Sequence, residues 1–184
     1  MSAQGNSKER VIEVVENTNP KQEFIAKRTV CIPVDESDAS KHTVQWAIAN
    51  ILNPETDEVV LLHVRPHAFN DYGIELGFPY IIPTESLDEA EKGLRTFSHE
   101  LLKATAKPFL EGKIHVRAVS LRGEPREEIE YKVNLIKPSF VVMGSRGLNT
   151  FSRAILGSVS EHMLHHLTVP VMIVPFVKED KKSQ

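Results

Sequence analysis

At 184 residues the chain is long enough for one globular domain with its own core. Hydrophobic residues at 41% and charged residues at 26% exclude a disordered chain and fit an ordinary folded one. A formal net charge of −3 leaves no global basic field for nucleic acid or an anionic membrane, so any anion site must be local.

Residues 1–26 are polar, carry the breaker Asn19-Pro20, and are expected to form a flexible N-terminal tail. VIEVV interrupts this tail, and a short strand or a helical turn are both open there. The stretch lacks the apolar core of a secretory signal, and its glutamates argue against a transit peptide. No run in the chain approaches the roughly 18 apolar residues of a membrane span. The single cysteine, Cys31, sits in TVCIPV, where a small buried hydrophobe is wanted, and cannot form an intramolecular disulfide. A reducing, cytoplasmic location is the expectation.

From residue 27 onward, apolar runs alternate with segments of helical period. RTVCIPV (28–34), EVVLLHV (58–64), IHVRAVS (114–120), SFVVMG (139–144) and VPVMIVP (169–175) predict strands. Three of them are nearly continuous apolar runs, the pattern of strands covered on both faces. SDASKHTVQWAIANIL predicts a helix with Ser37 or Asp38 as N-cap and Val44, Ala47, Ile48 and Ile51 on its stripe. TESLDEAEKGLRTFSHELLKATAKPFL places Leu87, Ala90, Leu94, Phe97, Leu101 and Leu102 at three- and four-residue steps. EPREEIEYKVNLI has Pro125 near the first helical turn and Ile129, Val133 and Ile136 on one face. SVSEHMLHHL follows Gly157. The alternation predicts a parallel α/β sheet wound by right-handed crossovers, occupying residues 27–176, with 177–184 as a charged tail.

Residues 65–84 break the rhythm with Pro66, Gly73, Gly77, Pro79 and Pro83. Long connections after strands carry function disproportionately. Phe69, Tyr72, Phe78 and Tyr80 would either lid a ligand or pin the segment down.

The chemistry concentrates in MGSRGLNTFSRAILGSVSE, residues 143–161. Glycines at the carboxyl end of a parallel strand admit positive φ and bring amides close to an anion. A helix opening at Gly157-Ser158 adds unpartnered amides and a favourable dipole. Ser158-x-x-Glu161 is equally a capping box, with Gly157 an ordinary turn residue. The stretch is not a Walker A loop, since no lysine precedes Ser158, and GxGxxG is absent as well.

Gly144-x2-Gly147-x9-Gly157-Ser158, preceded by VVM and followed by a helix and VPVMIVP, resembles the nucleotide motif of the universal stress protein family in its ATP-binding branch. IPVDES, LLHV and GEPREEI resemble three further family segments in the same order, so the resemblance covers about residues 28–176. It implies an adenine nucleotide alpha hydrolase-like fold, five parallel strands in the order 3-2-1-4-5 with helices on both faces. It places Pro33, Val34 and Asp35 around the adenosine and Val64 against the adenine through its backbone. Met143 and Gly144 would face the ribose and phosphate region, and Gly147, Gly157, Ser158, Val159 and Ser160 the phosphates. Ser145 and Arg146 lie between motif glycines, and Arg146 is a candidate for a charge-assisted bond to phosphate.

His162 and His166 are four apart on one helix, a spacing compatible with a metal, but HExxH is absent and no third ligand is evident. No G-x-S-x-G elbow exists, and the resemblance puts Asp35 at the adenosine end, too far from phosphate to act as a base. The resemblance therefore implies an ATP-, ADP- or AMP-binding module of stress response, with Mg2+ or Mn2+ carried by the phosphates. As family members commonly do, it is expected to dimerise through strand 170–175, with no nucleic acid or membrane partner. A slow ATPase or nucleotide phosphotransferase and a nucleotide-free interaction scaffold are the alternatives.

Overall fold

The computed structural model describes residues 12–14, 24–66, 68, 84–145 and 156–176. In chain order the elements are β1 (Ile12–Val14), β2 (Arg28–Pro33), α1 (Asp38–Asn50), β3 (Asp57–Arg65), α2 (Thr84–Glu111) and β4 (His115–Arg122). α3 (Pro125–Ile136), β5 (Phe140–Gly144), α4 (Ser158–His166) and β6 (Val171–Val174) complete the chain. The sheet order is β1-β4-β3-β2-β5-β6. Its last five strands are the parallel 3-2-1-4-5 sheet expected from the sequence. The sixth strand is β1, which pairs antiparallel with β4 at Ile12↔Ser120 and Val14↔Val119. Of the two forms open at VIEVV, the strand is the one that forms, because β4 offers it an unpaired edge.

Alternation along each strand feeds two separate cores. Val30, Ile32, Val59, Leu61, Val116 and Ala118 pack with Val44 and Ala47 of α1 and Leu102, Ala106 and Phe109 of α2. Cys31, Val60, Leu62, Val119 and Val141 pack with Ile129 and Val133 of α3 and Met163 of α4 on the other face. Cys31 is wholly buried, and burial pushes its thiol up to about 12, which suits a structural residue rather than a redox one.

Local chemistry sets the helix starts. Ser37 is the N-cap of α1, its side chain accepting from Ser40 N, a contact worth about 1 kcal/mol. Pro125 opens α3 after Gly123, whose φ of +143° belongs to glycine and whose absent Cβ would lie 2.9 Å from Glu128 Cγ. The Gly123 amide donates to Arg65 O at 3.0 Å, which fixes the β4–α3 turn against the end of β3. At α4 the capping box does not form. Gly157 is the N-cap with no side-chain bond, and Ser158 is the first helical residue, exposed and free of a capping role.

At the opposite end of the sheet Arg28 joins three elements. Its Nε donates to Asp57 Oδ1 at 2.9 Å and its Nη2 to Ile51 O at 2.8 Å, while the guanidinium lies 5.2 Å over the Phe140 ring. Asp57 is fully buried and also accepts from Asn53 N at 2.8 Å and Thr56 Oγ1 at 3.0 Å. Burial alone would raise its carboxyl, but the bonds from Arg28, Asn53 and Thr56 outweigh that and hold it below the ordinary 3.8. A lowered folded-state value stabilises above the ordinary carboxylate range, and the contribution is lost as pH falls through the folded value. Arg28→Met should therefore lower stability by about 3 kcal/mol at neutral pH in urea unfolding, since it strands a buried carboxylate. The gap between wild type and variant should narrow on acidification below the ordinary 3.8. A constant gap across that range would refute the role given to Asp57.

Candidate functional site

The chain leaves the sheet centre in opposite directions: β2 pairs with β3 on one side and β5 on the other. A crevice opens where connections diverge at the carboxyl ends of such strands. Here it is a cavity of about 560 Å3, within the range of small-molecule sites. Pro33, Val34, Asp35, Val64, Met143, Gly144, Gly157, Ser158, Val159 and Ser160 all line it. Ten of the thirteen residues singled out from sequence thus converge on one wall system. Arg146 and Gly147 lie outside the described residues, as do 67 and 69–83 of the long connection.

Ser145 is described but does not line the cavity. Its amide donates to Val174 O at 2.9 Å, its carbonyl accepts from Gly157 N at 2.9 Å, and its hydroxyl accepts from Phe176 N at 3.2 Å. Ser145 is a joint. It brings Gly157 beside the end of β5, and Ser160 Oγ donates to Gly144 O at 2.8 Å to complete the closure. The first helical bond of α4 is Glu161 N to Gly157 O at 2.9 Å, so the amides of Ser158, Val159 and Ser160 have no intrahelical acceptor. Three adjacent donors at a helix start suit an anion.

Asp35 is held by its own turn. Its amide donates to Ser40 Oγ at 3.1 Å, and its Oδ1 accepts from Ser37 N at 3.1 Å and from Ser37 Oγ. Oδ2 has no hydrogen bond among the described residues, and a carboxylate oxygen oriented this way suits paired hydroxyls such as those of a ribose.

The far wall was not evident from sequence. Leu94 and Phe97, read as core positions of a helical stripe, line the cavity instead, and Phe97 is 51% exposed. The stripe changes duty along α2, since only its later turns, at Leu102, Ala106 and Phe109, reach the sheet core. His63 and Arg65 continue the Leu61 face of β3 into the cavity, where Pro125 and Ile129 of α3 stand on the other side. His63 Nδ1 meets Ser98 Oγ at 2.7 Å, and Ser98 Oγ meets Ser120 Oγ at 2.7 Å, a buried chain from β3 through α2 to β4. Arg65 Nη1 donates to Glu91 Oε1, and Arg122 Nη1 donates to the same oxygen at 3.3 Å. Burial would raise the Glu91 carboxyl, but the two guanidiniums outweigh it and keep it ionised. These two ties hold the first half of α2 over the crevice. The signal for His63 and Arg65 was position alone: polar residues ending an apolar parallel strand belong to the binding rim.

His162 and His166 lie elsewhere. Their rings stack with centroids 3.8 Å apart, and His162 Nε2 meets Glu130 Oε2 at 2.7 Å, which joins α4 to α3. Among the described residues no group of three or more His, Cys, Asp or Glu is placed to hold a metal, and no helix is long and apolar enough to cross a membrane.

Burial pushes His63 below its ordinary 6.5 and Arg65 adds to this, against an opposing pull from Glu36 and Asp35. The unfolded chain then takes up the proton first, so stability is lost as pH falls from about 6.5 through the folded value. His63→Gln should show a smaller drop in Tm between about pH 7.5 and 5.5 than wild type by calorimetry. Equal drops would show that His63 protonates as freely folded as unfolded.

The model of the universal stress protein family matches residues 27–175, which span β2 to β6. The universal stress protein PHOS32 of Arabidopsis thaliana is 30% identical over 165 residues, covering 82% of this chain and 66% of that relative. Among solved structures, the hypothetical protein MJ0577 superimposes with a TM-score of 0.69 at 21% identity, over 84% of this chain and all of that one. A universal stress protein family protein of Arabidopsis thaliana with AMP bound gives 0.58 at 22% identity, over 82% of this chain and 92% of that one. With the same sheet order reached from the residues and the family model covering every parallel strand, the chain belongs to the universal stress protein family.

Proposed function

We propose that the chain binds an adenine nucleotide, ATP or its ADP and AMP relatives, and serves as a nucleotide-responsive homodimeric module of stress adaptation in the cytoplasm, not as a dedicated catalyst. One observation carries the reading. A single cavity joins a fixed carboxylate, Asp35, to the free amides of Ser158–Ser160, with Val64 and the apolar pair Leu94 and Phe97 on the remaining wall. A nucleotide has this sequence of parts: a flat ring, a diol and an anionic chain.

The residues fit such a guest. Asp35 Oδ2 would accept from ribose hydroxyls, and the α4 start would hold phosphate, where Ser158 adds a hydroxyl that no capping bond occupies. Phe97 at the rim gives the ring an apolar face whose exposure is otherwise unfavourable. Mg2+ or Mn2+ would arrive on the phosphates. The AMP-bound family protein supports an adenine ligand for this fold.

β6 is the end strand of the sheet. Val141 N donates to Pro170 O and Ser145 N to Val174 O, each at 2.9 Å, so alternation turns the backbone groups of Val171 and Ile173 outward. An apolar strand with a free edge invites pairing with a second copy.

Titration of the purified chain with ATP, ADP, AMP and cyclic AMP should give measurable binding for at least one of them, and Asp35→Ala should weaken it about tenfold. Equal, negligible affinity for all four would overturn the proposal. For the dimer, Ile173→Pro removes an outward donor while leaving the bonds to β5 in place. Sedimentation should show a dimer in the wild type and a monomer in the variant, and a monomeric wild type would remove the dimer from the reading.

A further inference from the structure

The two ends of the cavity are of opposite kinds. At the α4 end the donors are backbone amides, and at the other end the donor is a side chain. Arg65 is 3% exposed, lines the cavity, and is fixed through Nη1 to Glu91. Its Nε is buried and has no hydrogen-bond partner among the described residues. Glu91 is shared with Arg122, so one negative charge stands between two positive ones and does not neutralise them.

A buried guanidinium N–H without an acceptor is destabilising, and the cavity is where an acceptor can enter. With phosphate at the start of α4, as proposed above, the part of a nucleotide that reaches Arg65 is its base. A neutral adenine ring offers acceptors at N1, N3 and N7. Leu94 and Phe97 in the same wall suit the faces of a ring, and a fixed charged donor in that wall sets its orientation.

Resting on the adenine-nucleotide reading above, we infer that Arg65 is a base-reading residue, whose Nε–H donates to one ring nitrogen of the bound adenine. The bond is charge-assisted, and Glu91 prevents the guanidinium from swinging to solvent. A ring with carbon at that position leaves the donor unmatched and is rejected. Arginine is needed here, because lysine can keep the contact to Glu91 but has no Nε–H beside it.

The test is a titration of the full chain with ATP and its 1-deaza, 3-deaza and 7-deaza analogues, in wild type and in R65K. In wild type at least one analogue should bind about tenfold or more weakly than ATP, and in R65K that gap should close to about twofold. R65M should behave like R65K. Gaps that are the same in wild type and R65K would overturn the inference while leaving nucleotide binding intact. If circular dichroism shows that neither variant folds, the wild-type series decides alone: three analogues all within about twofold of ATP would overturn it, and one discriminated analogue would support it. A wild type that binds no nucleotide at all removes the adenine-nucleotide reading and this inference together.

Discussion

Two-sided burial of the central strand governs the rest of this structure. β2 has neighbours on both edges and helices on both faces, so Val30 and Ile32 serve one core and Cys31 serves the other. Between Thr29 near its start and Asp35 beyond its end it carries no polar side chain. Chemistry is therefore pushed to the carboxyl tips, where Pro33, Val34 and Asp35 follow directly. The same pressure acts on β3 and β5, whose apolar bodies end in His63-Val64-Arg65 and Met143-Gly144. The cavity exists because three strands run out of core at one level, where their connections part.

The element order could be read from the residues because parallel strands announce themselves as short continuous apolar runs, and helices between them keep a 3.6-residue stripe. The end of the cavity at Gly144 and Gly157 was equally legible, since glycines and a helix start are local features whose spacing survives in one dimension. The end at Arg65 was not. Periodicity reports that Leu94 and Phe97 share a face with Leu101 but cannot say that this face overhangs a crevice, because that depends on where β3 and β4 stop. VIEVV is open between strand and helical turn for a similar reason. Three residues carry little pattern, and their partner, the outer edge of β4, is about a hundred positions away. Ser145 and Ser158 both fall in the glycine-rich stretch, and hydrogen bonding separates them: the first joins backbone strands, the second has its hydroxyl free of a cap.

The polar groups over the crevice do a task that apolar packing does elsewhere. The chain His63–Ser98–Ser120 and the trio Arg65–Glu91–Arg122 both tie α2 to β3 and β4 just beyond the point where the core ends. Apolar side chains in these positions would hold the helix but close the space beneath it. Directional bonds hold it at a distance, which leaves the cavity open beneath it. Their cost is a buried imidazole that resists protonation and a buried guanidinium with a donor to satisfy.

The joint at Ser145 has a consequence for how such a site changes over time. Ser145 and Gly157, twelve positions apart in the sequence, are one hydrogen bond apart. Hydrogen bonds among Gly144, Ser145, Gly157, Ser160 and Val174 thus join the end of β5 to the start of α4 and to β6. A connection whose ends already meet can grow or shrink at low entropic cost, about 0.6 kcal/mol for each doubling of length. Insertions between Ser145 and Gly157 would leave the ends of β5 and α4 joined as before, so this is the natural place for one scaffold to acquire new responses.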